Sequence, residues 1–293
     1  MIAVDWGTSS FRAYRLAADG TILDSAASPR GILSVTDGRF DVVLREAVGP
    51  WLDAERLMLL SGMIGSRQGW REAPYVPCPA GEPEIRQALI PLDFDWPGQT
   101  WLAPGLDCRA HGVPDVMRGE EVQILGALDA IEDGTGLVCL PGTHSKWVRA
   151  EGGRIVAFQT HMTGESFAIL RQHSILGRLM PAADDEADPD DRAFAAGLAR
   201  ARTEGGLLHH LFGVRSLGLM GDLPAAGLPA YLSGLLIGHE LAATAAIPGP
   251  VHLIGNETLT RRYSQALTLA GRTARPMAPD RAAAGLHLLS QGL

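Results

Sequence analysis

The chain has 293 residues, 46% of them hydrophobic and 20% charged, with a formal net charge of −8 at pH 7. This composition is typical of a soluble globular protein and allows two modest domains. The negative charge argues against a general nucleic-acid or anionic-membrane binder, and no apolar run approaches the roughly 20 residues of a membrane span. The three cysteines are far apart and form no CxxC pair, so neither a disulfide framework nor a zinc site is indicated.

The first 30 residues predict three antiparallel strands. Residues 2–4 predict a buried strand that ends at Asp5, residues 11–16 predict a second strand, and Asp19-Gly20 marks a hairpin turn before a third. A Rossmann start is disfavoured because no GxGxxG motif opens a helix here. A Walker A loop is also disfavoured, since the only lysine, Lys146, is not followed by serine or threonine.

The Gly-Thr-Ser turn at residues 7–9, together with Asp5, is typical of a phosphate site. A carboxylate at a strand end can hold a hydrated Mg²⁺, and a glycine turn presents N–H groups and hydroxyls to a phosphate. Asp-x-Gly-Thr also occurs in tight turns, where Asp and Gly serve only the backbone. This segment alone therefore leaves both interpretations open.

The next 80 residues predict a helix over 40–54 and a buried strand over 57–60. The strand runs into residues 61–70, a small-residue loop that carries Arg, Gln and Trp. Such a loop is a good place for a ligand, and a plain glycine-rich turn with a core tryptophan is the alternative. Residues 74–110 are rich in proline and glycine and predict an irregular insertion.

The opening pattern recurs in the second half of the chain. Residues 136–140 predict a strand that ends in Pro-Gly-Thr-His-Ser-Lys at 141–146, and a glycine turn separates strands at 147–149 and 154–158. We interpret this as a divergent duplication that yields two domains of related fold. The remaining predicted elements are helices over 122–131, 163–180, 193–203, 230–246, 258–270 and 282–289, a strand over 251–254 and an acidic surface loop over 181–191.

Two Gly-Thr turns and a late strand followed by Gly255 resemble the actin/hexokinase/Hsp70 ATPase superfamily. Six further segments look like the 2-dehydro-3-deoxygalactonokinase family: residues 28–33, 61–70, 74–81, 114–121, 140–148 and 173–180. Each segment alone is unspecific, but their joint match is specific and covers nearly the whole chain.

The resemblance implies an α/β protein of two ribonuclease-H-like lobes, the actin-like ATPase fold, with an interlobe cleft. Its domains would be residues 1–118, with the first phosphate turn and the sugar site, and residues 119–293, with the second phosphate turn and the adenosine site. The last helix would pack back on the first lobe.

The implied activity is ATP-dependent phosphorylation of the terminal (6-) hydroxyl of 2-dehydro-3-deoxy-D-galactonate in galactonate breakdown, with ATP and Mg²⁺ as cofactors. Three alternatives stay open. They are a kinase for another sugar acid such as 2-dehydro-3-deoxygluconate, an exopolyphosphatase-like hydrolase, and a non-catalytic ATP or sugar sensor. No nucleic acid and no membrane is expected as a partner, the expected location is cytoplasmic, and a homodimer is left open.

The resemblance also implies the residues that bind ATP. Asp5 would be the metal residue, directly or through water, with Glu120 or Glu121 as a further ligand. Lys146 is a candidate phosphate contact, and its alternative is a surface side chain on the following strand. The full set of expected ATP contacts is Gly7, Thr8, Ser9, Arg12, Gly142, Thr143, His144, Lys146, Gly255 and Asn256.

Asp115, just before the predicted interlobe helix, is the expected catalytic base for the acceptor hydroxyl. An N-cap role is its alternative, in which case Glu120 or Glu121 would be the base. The substrate carboxylate calls for an arginine, Arg67 first and Arg30 second. The expected sugar contacts are Ser61, Gly62, Met63, Arg67, Gln68 and Arg30.

Overall fold

The computed structural model describes residues 1–109, 112–182, 190–245, 247–278 and 281–293 and has a mixed α/β architecture. Residues 183–189 of the predicted acidic loop lie outside the described residues. The strands are β1 (Ile2–Trp6), β2 (Phe11–Leu16), β3 (Ile22–Ser28), β4 (Leu57–Ser61), β5 (Tyr75–Pro77), β6 (Ile90–Pro91), β7 (Gln99–Leu102), β8 (Gly105–Cys108), β9 (Asp115–Met117), β10 (Gly136–Leu140), β11 (Ser145–Glu151), β12 (Arg154–His161), β13 (Val251–Leu253) and β14 (Ala274–Pro276). The helices are α1 (Phe40–Leu52), α2 (Glu82–Gln87), α3 (Glu120–Leu128), α4 (Thr163–His173), α5 (Asp191–Arg200), α6 (Gly206–Met220), α7 (Leu228–Ala243), α8 (Glu257–Leu269) and α9 (Arg281–Ser290).

The chain divides into two compact units. The first contains Met1–Gly136, Val148–Gln159 and Met277–Leu293, and the second contains Leu137–Trp147 and Thr160–Pro276. This division differs from the one at residue 118 that the sequence predicts. The helix α3 belongs to the first unit because it packs against α9, and α9 also contacts β1.

A six-stranded sheet in the order β3-β2-β1-β4-β7-β6 forms the centre of the first unit. The predicted antiparallel meander β1-β2-β3 is confirmed, with Asp5 opposite Arg12. On its other side β1 pairs in parallel with β4, which places Asp5 opposite Ser61. The carboxyl ends of β1 and β4 therefore meet at one edge of the sheet.

The prediction of an irregular insertion over residues 74–110 is wrong. This segment contributes β7, which pairs in parallel with β4, and β6, which pairs with β7, to the main sheet. It also contributes β5 and β8 to a three-stranded sheet with β9. These strands have only two to four residues and are interrupted by proline and glycine, so they carry no clear alternating pattern.

The core of the first unit lies between this sheet and α1. All five residues of β1 are buried. Apolar side chains of this strand form one cluster with Phe40, Val43 and Leu44 of α1. Phe40 contacts Trp6 edge-on, with ring centroids 5.7 Å apart. This packing supports the strand whose end carries Asp5.

The second sheet has the order β12-β11-β10-β13-β14, with β10 parallel to β13 and β13 parallel to β14. It repeats the arrangement β3-β2-β1-β4-β7 of the first sheet, a meander followed by two later strands. The two sheets thus share one strand arrangement, and the duplication itself stays a prediction. In both sheets a glycine turn follows the central strand, β1 or β10.

Three sequence predictions in the second half of the chain differ from the structure. The helix predicted over 163–180 ends at His173, and a short 3₁₀ turn follows at Gly177–Leu179. The strand after the second turn begins at Ser145, so Lys146 lies within β11. The helix α6 escaped prediction because its apolar residues lie all around the helix, which leaves no single apolar stripe to detect.

Within the part of the chain that the structure describes, every helix is too short or too polar to cross a membrane.

Candidate active site

The turn after β1 is held rigidly and leaves its hydroxyls exposed. The Gly7 amide donates a hydrogen bond of 2.9 Å to the carbonyl of Ser10. Gly31 packs directly on the turn, since a Cβ atom added there would be 2.2 Å from the carbonyl oxygen of Thr8. Thr8 and Ser9 are exposed. The predicted phosphate residues therefore form a preorganised turn that presents two hydroxyls to solvent.

Asp5 is a buried carboxylate beside this turn, with only 9% of its surface exposed. Its closest cation is Arg12 on β2, whose Nη1 lies 3.9 Å from Oδ2. Burial raises the pKa of Asp5 to about 6; the Arg12 charge opposes this shift and the Glu120 charge adds to it. A divalent cation at this place would favour the charged form of Asp5.

Two glycines with positive φ angles meet beside Asp5. Gly62, with φ of 94°, follows β4, and Gly119, with φ of 105°, precedes α3. A Cβ atom added to Gly119 would be 3.0 Å from Cα of Gly62 and 3.9 Å from Oδ1 of Asp5. The start of the loop at residues 61–70 thus meets Gly119, which lies beside the Asp5 carboxylate, through backbone conformations that suit glycine.

The two glutamates at the start of α3 have different environments. Glu121 is fully buried, and its two carboxylate oxygens accept the Gly119 amide at 2.9 and 2.7 Å. Burial, together with the Glu120 charge, raises the pKa of Glu121 to about 8. Glu120 is half-buried and accepts the Arg118 amide at 3.0 Å. Glu121 therefore holds the Gly119 backbone. Glu120 is the glutamate whose charge raises the pKa of Asp5.

Asp115 lies in β9, opposite Cys108 on β8. Its Oδ1 accepts the amide of Val116 at 2.8 Å. The N-cap of α3 is Gly119, so the alternative role of Asp115 as a helix N-cap is wrong.

Arg118 is a feature of the site that the sequence patterns did not single out. Its guanidinium is buried, donates from Nη2 to the carbonyl of Ala73 at 2.8 Å and stacks 4.3 Å above the ring of Tyr75. Nε and Nη1 are buried without a hydrogen-bond partner among the described residues. Arg118 thereby connects residues 73–75, which follow the loop at residues 61–70, to the segment that carries Gly119. A basic residue directly before this glycine is the only signal the sequence offers.

The predicted sugar contacts lie in contrasting environments. The Arg67 side chain is 87% exposed and pairs with Glu72 at 3.0 Å. Arg30 pairs with Glu46 at 2.6 Å and is half-exposed. Ser61 is fully buried, with its Oγ 3.4 Å from the carbonyl of Val4, which leaves its hydroxyl inside the sheet.

The three remaining predicted sugar contacts also lie in the loop after β4. Gln68 is exposed, and Met63 is half-buried against the core of the first unit. Among the six predicted sugar contacts, Ser61 pairs with Asp5 across the sheet, and Gly62 lies against Gly119 beside Asp5.

The second Gly-Thr turn lies between β10 and β11 and is supported by the start of α4. A Cβ atom added to Gly164 would be 2.5 Å from the carbonyl oxygen of Gly142, so the two backbones are in contact. The Glu165 amide donates to the carbonyl of Thr143 at 3.0 Å, and the Glu165 carboxylate lies 2.5 Å from Nε2 of His144. Gly142 itself faces open space.

Lys146 is buried, with 5% of its surface exposed, and donates from Nζ to Oγ1 of Thr160 at 2.8 Å. The alternative that it is a surface side chain is therefore wrong. A buried ammonium close in sequence to the second turn remains compatible with a phosphate role.

A cavity of about 470 Å³ in the second unit opens beside Gly142. Its size and largely apolar lining suit a nucleoside. Its walls come from the second turn, α4, α7 and α8 together with residues near α5 and α7: Gly142, Thr163, Gly164, Phe167, Pro181, Asp190, Ala226, Pro229, Ala230, Ser233, Leu236, Ile237, Thr258, Leu259, Arg262 and Tyr263.

Gly255 and Asn256 lie between β13 and α8, close to this cavity in sequence and in space. A Cβ atom on Gly255 would be 3.5 Å from the carbonyl oxygen of Pro141. Asn256 is the N-cap of α8, and its Oδ1 accepts the amide of Leu259 at 2.9 Å. The cap fixes the helix turn that contributes Thr258 and Leu259 to the cavity wall.

The sequence profile of the 2-keto-3-deoxy-galactonokinase family matches residues 5–289. The chain belongs to this family. A relative from Rhizobium meliloti (strain 1021), "Probable 2-dehydro-3-deoxygalactonokinase DgoK1", is 39% identical over 300 residues, which cover 99% of this chain and 96% of the relative. The 2-dehydro-3-deoxygalactonokinase of Escherichia coli (strain K12) is 35% identical over 284 residues, with 96% and 94% covered.

Solved structures agree with this family assignment. A crystal structure from Sinorhizobium meliloti, described by the same enzyme name, superposes with a TM-score of 0.89 at 37% identity and covers 99% of this chain and 98% of its own. The activator of 2-hydroxyisocaproyl-CoA dehydratase from Clostridium difficile superposes with a TM-score of 0.53 at 11% identity, covering 98% and 92%, and shows a shared fold alone. The predicted fold class, an α/β protein with the actin-like ATPase fold, is confirmed.

Proposed function

We propose that this chain transfers the γ-phosphoryl group of ATP to the terminal hydroxyl of 2-keto-3-deoxy-galactonate. The observation that carries the proposal is the family match over residues 5–289, with a 39% identical relative covered nearly end to end. Phosphoryl transfer depends on positioning and charge stabilisation rather than on covalent help from the protein. Two rigid glycine turns, a buried carboxylate and a nucleoside-sized cavity are the parts that such a reaction needs.

In the first unit, the turn at Gly7, Thr8 and Ser9 would bind the β- and γ-phosphates. Support comes from its exposed hydroxyls and from the backbone brace at Gly31, which keep its donors in place before ATP arrives. Arg12, half-exposed on β2, would add positive charge beside it.

In the second unit, Gly142, Thr143 and His144 would bind phosphate oxygens of a nucleotide. Open space at Gly142 permits close approach of a phosphate to the backbone. Lys146 would add a charge to this region. The cavity next to Gly142 would take the adenosine. Gly255 would contact the nucleotide from beside Pro141, and Asn256 would contact it from the start of α8.

The residues around Asp5 fit a Mg²⁺ ion. Asp5 is buried and the Glu120 charge raises its pKa further, so a divalent cation would favour the charged form of Asp5. Among the described residues, no group of three or more His, Cys, Asp or Glu side chains could hold a metal. Mg²⁺ is often bound by one or two carboxylates and substrate phosphates, and it would neutralise charge on the transferred phosphoryl group. Asp5 would hold it directly or through water, with Glu120 as the second carboxylate.

Asp115 is our proposed base. It would accept the proton of the terminal hydroxyl as that oxygen attacks the γ-phosphorus and ADP leaves. Glu120 is the competing candidate because it is half-buried and its charge raises the pKa of Asp5. Glu121 is unsuited to the role, since both its oxygens are engaged by the Gly119 amide.

The carboxylate of the sugar acid would bind to Arg67, whose exposed guanidinium keeps donors available beyond its pair with Glu72. Gln68, Met63 and the Gly62 backbone would contact the sugar, and Arg30 is the second candidate cation. Ser61 would support the end of β4 rather than contact the sugar, because its hydroxyl is buried against the carbonyl of Val4. The proposed use of ATP agrees with a cytoplasmic location. A homodimer stays a prediction, which a molar mass measured by light scattering would test.

The test is ADP formation by the purified chain with ATP and Mg²⁺, measured separately with 2-keto-3-deoxy-galactonate and 2-keto-3-deoxy-gluconate. We expect acid-dependent ADP formation with a higher kcat/KM for the galactonate derivative. A higher value for the gluconate derivative would reassign the substrate. ATP binding without any acid-dependent turnover would favour a sensor and overturn the proposal.

A further inference from the structure

The helix α7 carries a carboxylate into the interior of the second unit. Glu240 is 3% exposed. Its Oε1 accepts the indole N–H of Trp147 at 2.6 Å, and its Oε2 accepts the hydroxyl of Tyr263 at 2.8 Å and the hydroxyl of Thr163. One side chain thus joins three different elements, β11, α8 and α4.

Each of these donors belongs to the surroundings of the second turn. Thr163 lines the cavity and begins α4, and the next residue, Gly164, is in backbone contact with Gly142. Tyr263 also lines the cavity. Trp147 follows Lys146 in β11.

A further bond strengthens the connection to β11. The Tyr263 hydroxyl donates to Glu240, so the Ser145 hydroxyl, 2.8 Å from it, donates to the Tyr263 oxygen. The strand that leaves the second turn is therefore tied to the same carboxylate at two of its first three residues.

Packing alone does not explain a carboxylate here. Trp147 and Tyr263 belong to the apolar cluster of the second unit, and burying a charge in such surroundings is costly. The cost is offset when several donors converge on one acceptor, because hydrogen bonds to a charged group are short and strong. Such a fully satisfied network holds its members in one arrangement.

We propose that Glu240 is a positioning residue for nucleotide binding. Without touching the nucleotide, it holds the start of α4, the Tyr263 wall of the cavity and the strand after the second turn in the arrangement that binds ATP. The inference rests on the proposed function only in taking a nucleoside triphosphate as the ligand of this cavity.

The test uses the full chain with the substitution Glu240→Gln. The amide nitrogen of Gln cannot accept a hydrogen bond, so either the Trp147 donor or the pair of hydroxyl donors loses its acceptor. Titration with a fluorescent N-methylanthraniloyl ATP analogue should show about tenfold weaker binding than wild type. KM for ATP should rise by a similar factor, and KM for the sugar acid should change less than twofold.

His210→Gln provides a matched control. His210 is also fully buried in the second unit, but it bonds His239 and the carbonyl of Glu204 and does not line the cavity. This variant should lower the unfolding temperature and leave analogue binding unchanged. If Glu240→Gln is folded and binds the analogue as wild type does, the proposal is overturned. It is also overturned if both variants weaken analogue binding equally at matched unfolding temperatures.

A double-mutant cycle checks the route through α4. Thr163→Val should weaken analogue binding in the wild type and have little further effect in Glu240→Gln, because both changes break one link. Fully additive effects would contradict positioning through Thr163. Tyr263→Phe, which removes one donor and keeps the ring, should give a smaller loss of binding and serves if Glu240→Gln fails to fold.

The binding titration separates this proposal from the proposed function. A wild-type chain that binds the analogue but phosphorylates neither acid would overturn the kinase activity, and the Glu240 comparison would still be decided by binding. A wild-type chain that binds no nucleotide would overturn both.

Discussion

Gly62 and Gly119 touch each other beside the Asp5 carboxylate, and both have backbone conformations that L side chains rarely adopt. Their φ angles are 94° and 105°. A Cβ atom on Gly62 would be 2.6 Å from the carbonyl oxygen of Trp6, and one on Gly119 would be 3.0 Å from Cα of Gly62. The loop after β4 and the start of α3 therefore meet where no side chain fits between them.

Gly119→Ala should impair both folding and catalysis. The left-handed conformation costs an alanine about 1–2 kcal/mol, and the contact with Gly62 forces the backbone apart beside Asp5. We expect a loss of stability in urea unfolding and a fall of about tenfold or more in kcat/KM.

Gly38→Ala is the control for this prediction. Gly38 has a φ of 72° but nothing within 4 Å of an added Cβ atom. Its replacement should cost the backbone strain alone and leave kcat/KM unchanged. Equal kinetic effects of the two substitutions would show that the contact of Gly62 with Gly119 has no catalytic importance.

Asp5→Asn should separate activity from stability. The change removes a buried charge that burial disfavours, so the unfolding temperature without Mg²⁺ should stay equal or rise. Turnover should fall on the order of 10³-fold, since the carboxylate is the proposed holder of the metal at the transferred phosphoryl group. The measurements are thermal unfolding and ADP formation, and retention of full activity would exclude Asp5 from the site.

A pair of substitutions decides between the two candidate bases. If Asp115 is the base, Asp115→Asn should lower kcat by about 10²–10⁴-fold with little change in KM for ATP. Glu120→Gln should chiefly raise the Mg²⁺ concentration needed for half-maximal rate. The reverse pattern in steady-state kinetics at varied Mg²⁺ would assign the base to Glu120.

The two Gly-Thr turns were predictable because their signal is local. In each case the glycine follows an apolar strand within two residues. β1 ends at Trp6, one residue beyond the predicted end at Asp5, and β10 ends at Leu140 as predicted. The meander that follows β1 and its recurrence in the second half were predictable for the same reason. These patterns depend on residues within about 15 positions of each other.

The rest of the site depends on contacts between distant segments. Nothing near Glu240 in sequence indicates that its carboxylate binds Trp147, 93 residues away. The exposure of Arg67 and the burial of Ser61 depend on where the loop after β4 lies against the sheet. Composition and spacing carry no information about such contacts. The prediction from residue types therefore included more sugar contacts than lie beside Asp5 in the structure.

The pair of histidines on α6 and α7 should make stability sensitive to acid. Nε2 of His239 lies 3.0 Å from Nδ1 of His210, and burial, with the His210 charge, lowers the pKa of His239 from 6.5. A lowered pKa means that this contribution to stability is complete above about pH 6.5 and is lost as the pH falls through the folded-state pKa. His239→Gln should therefore flatten the loss of unfolding temperature between about pH 7 and pH 5.

The exposed neighbour His209 supplies the comparison for this experiment. It contacts Arg200 at 3.2 Å on the surface, and His209→Gln should leave the acid dependence of the unfolding temperature as in wild type. An unchanged slope in His239→Gln would exclude this pair as the acid-sensitive element.

The most direct test of the central claim is ³¹P NMR of the reaction of the purified chain with ATP, Mg²⁺ and 2-keto-3-deoxy-galactonate. The account predicts one equivalent of ADP for each phosphate ester formed. The ester resonance should be a proton-coupled triplet, because the phosphoryl group is attached to a terminal CH₂. A doublet would place the phosphate on a secondary hydroxyl. Inorganic phosphate without an ester, or no acid-dependent ADP at all, would contradict the account.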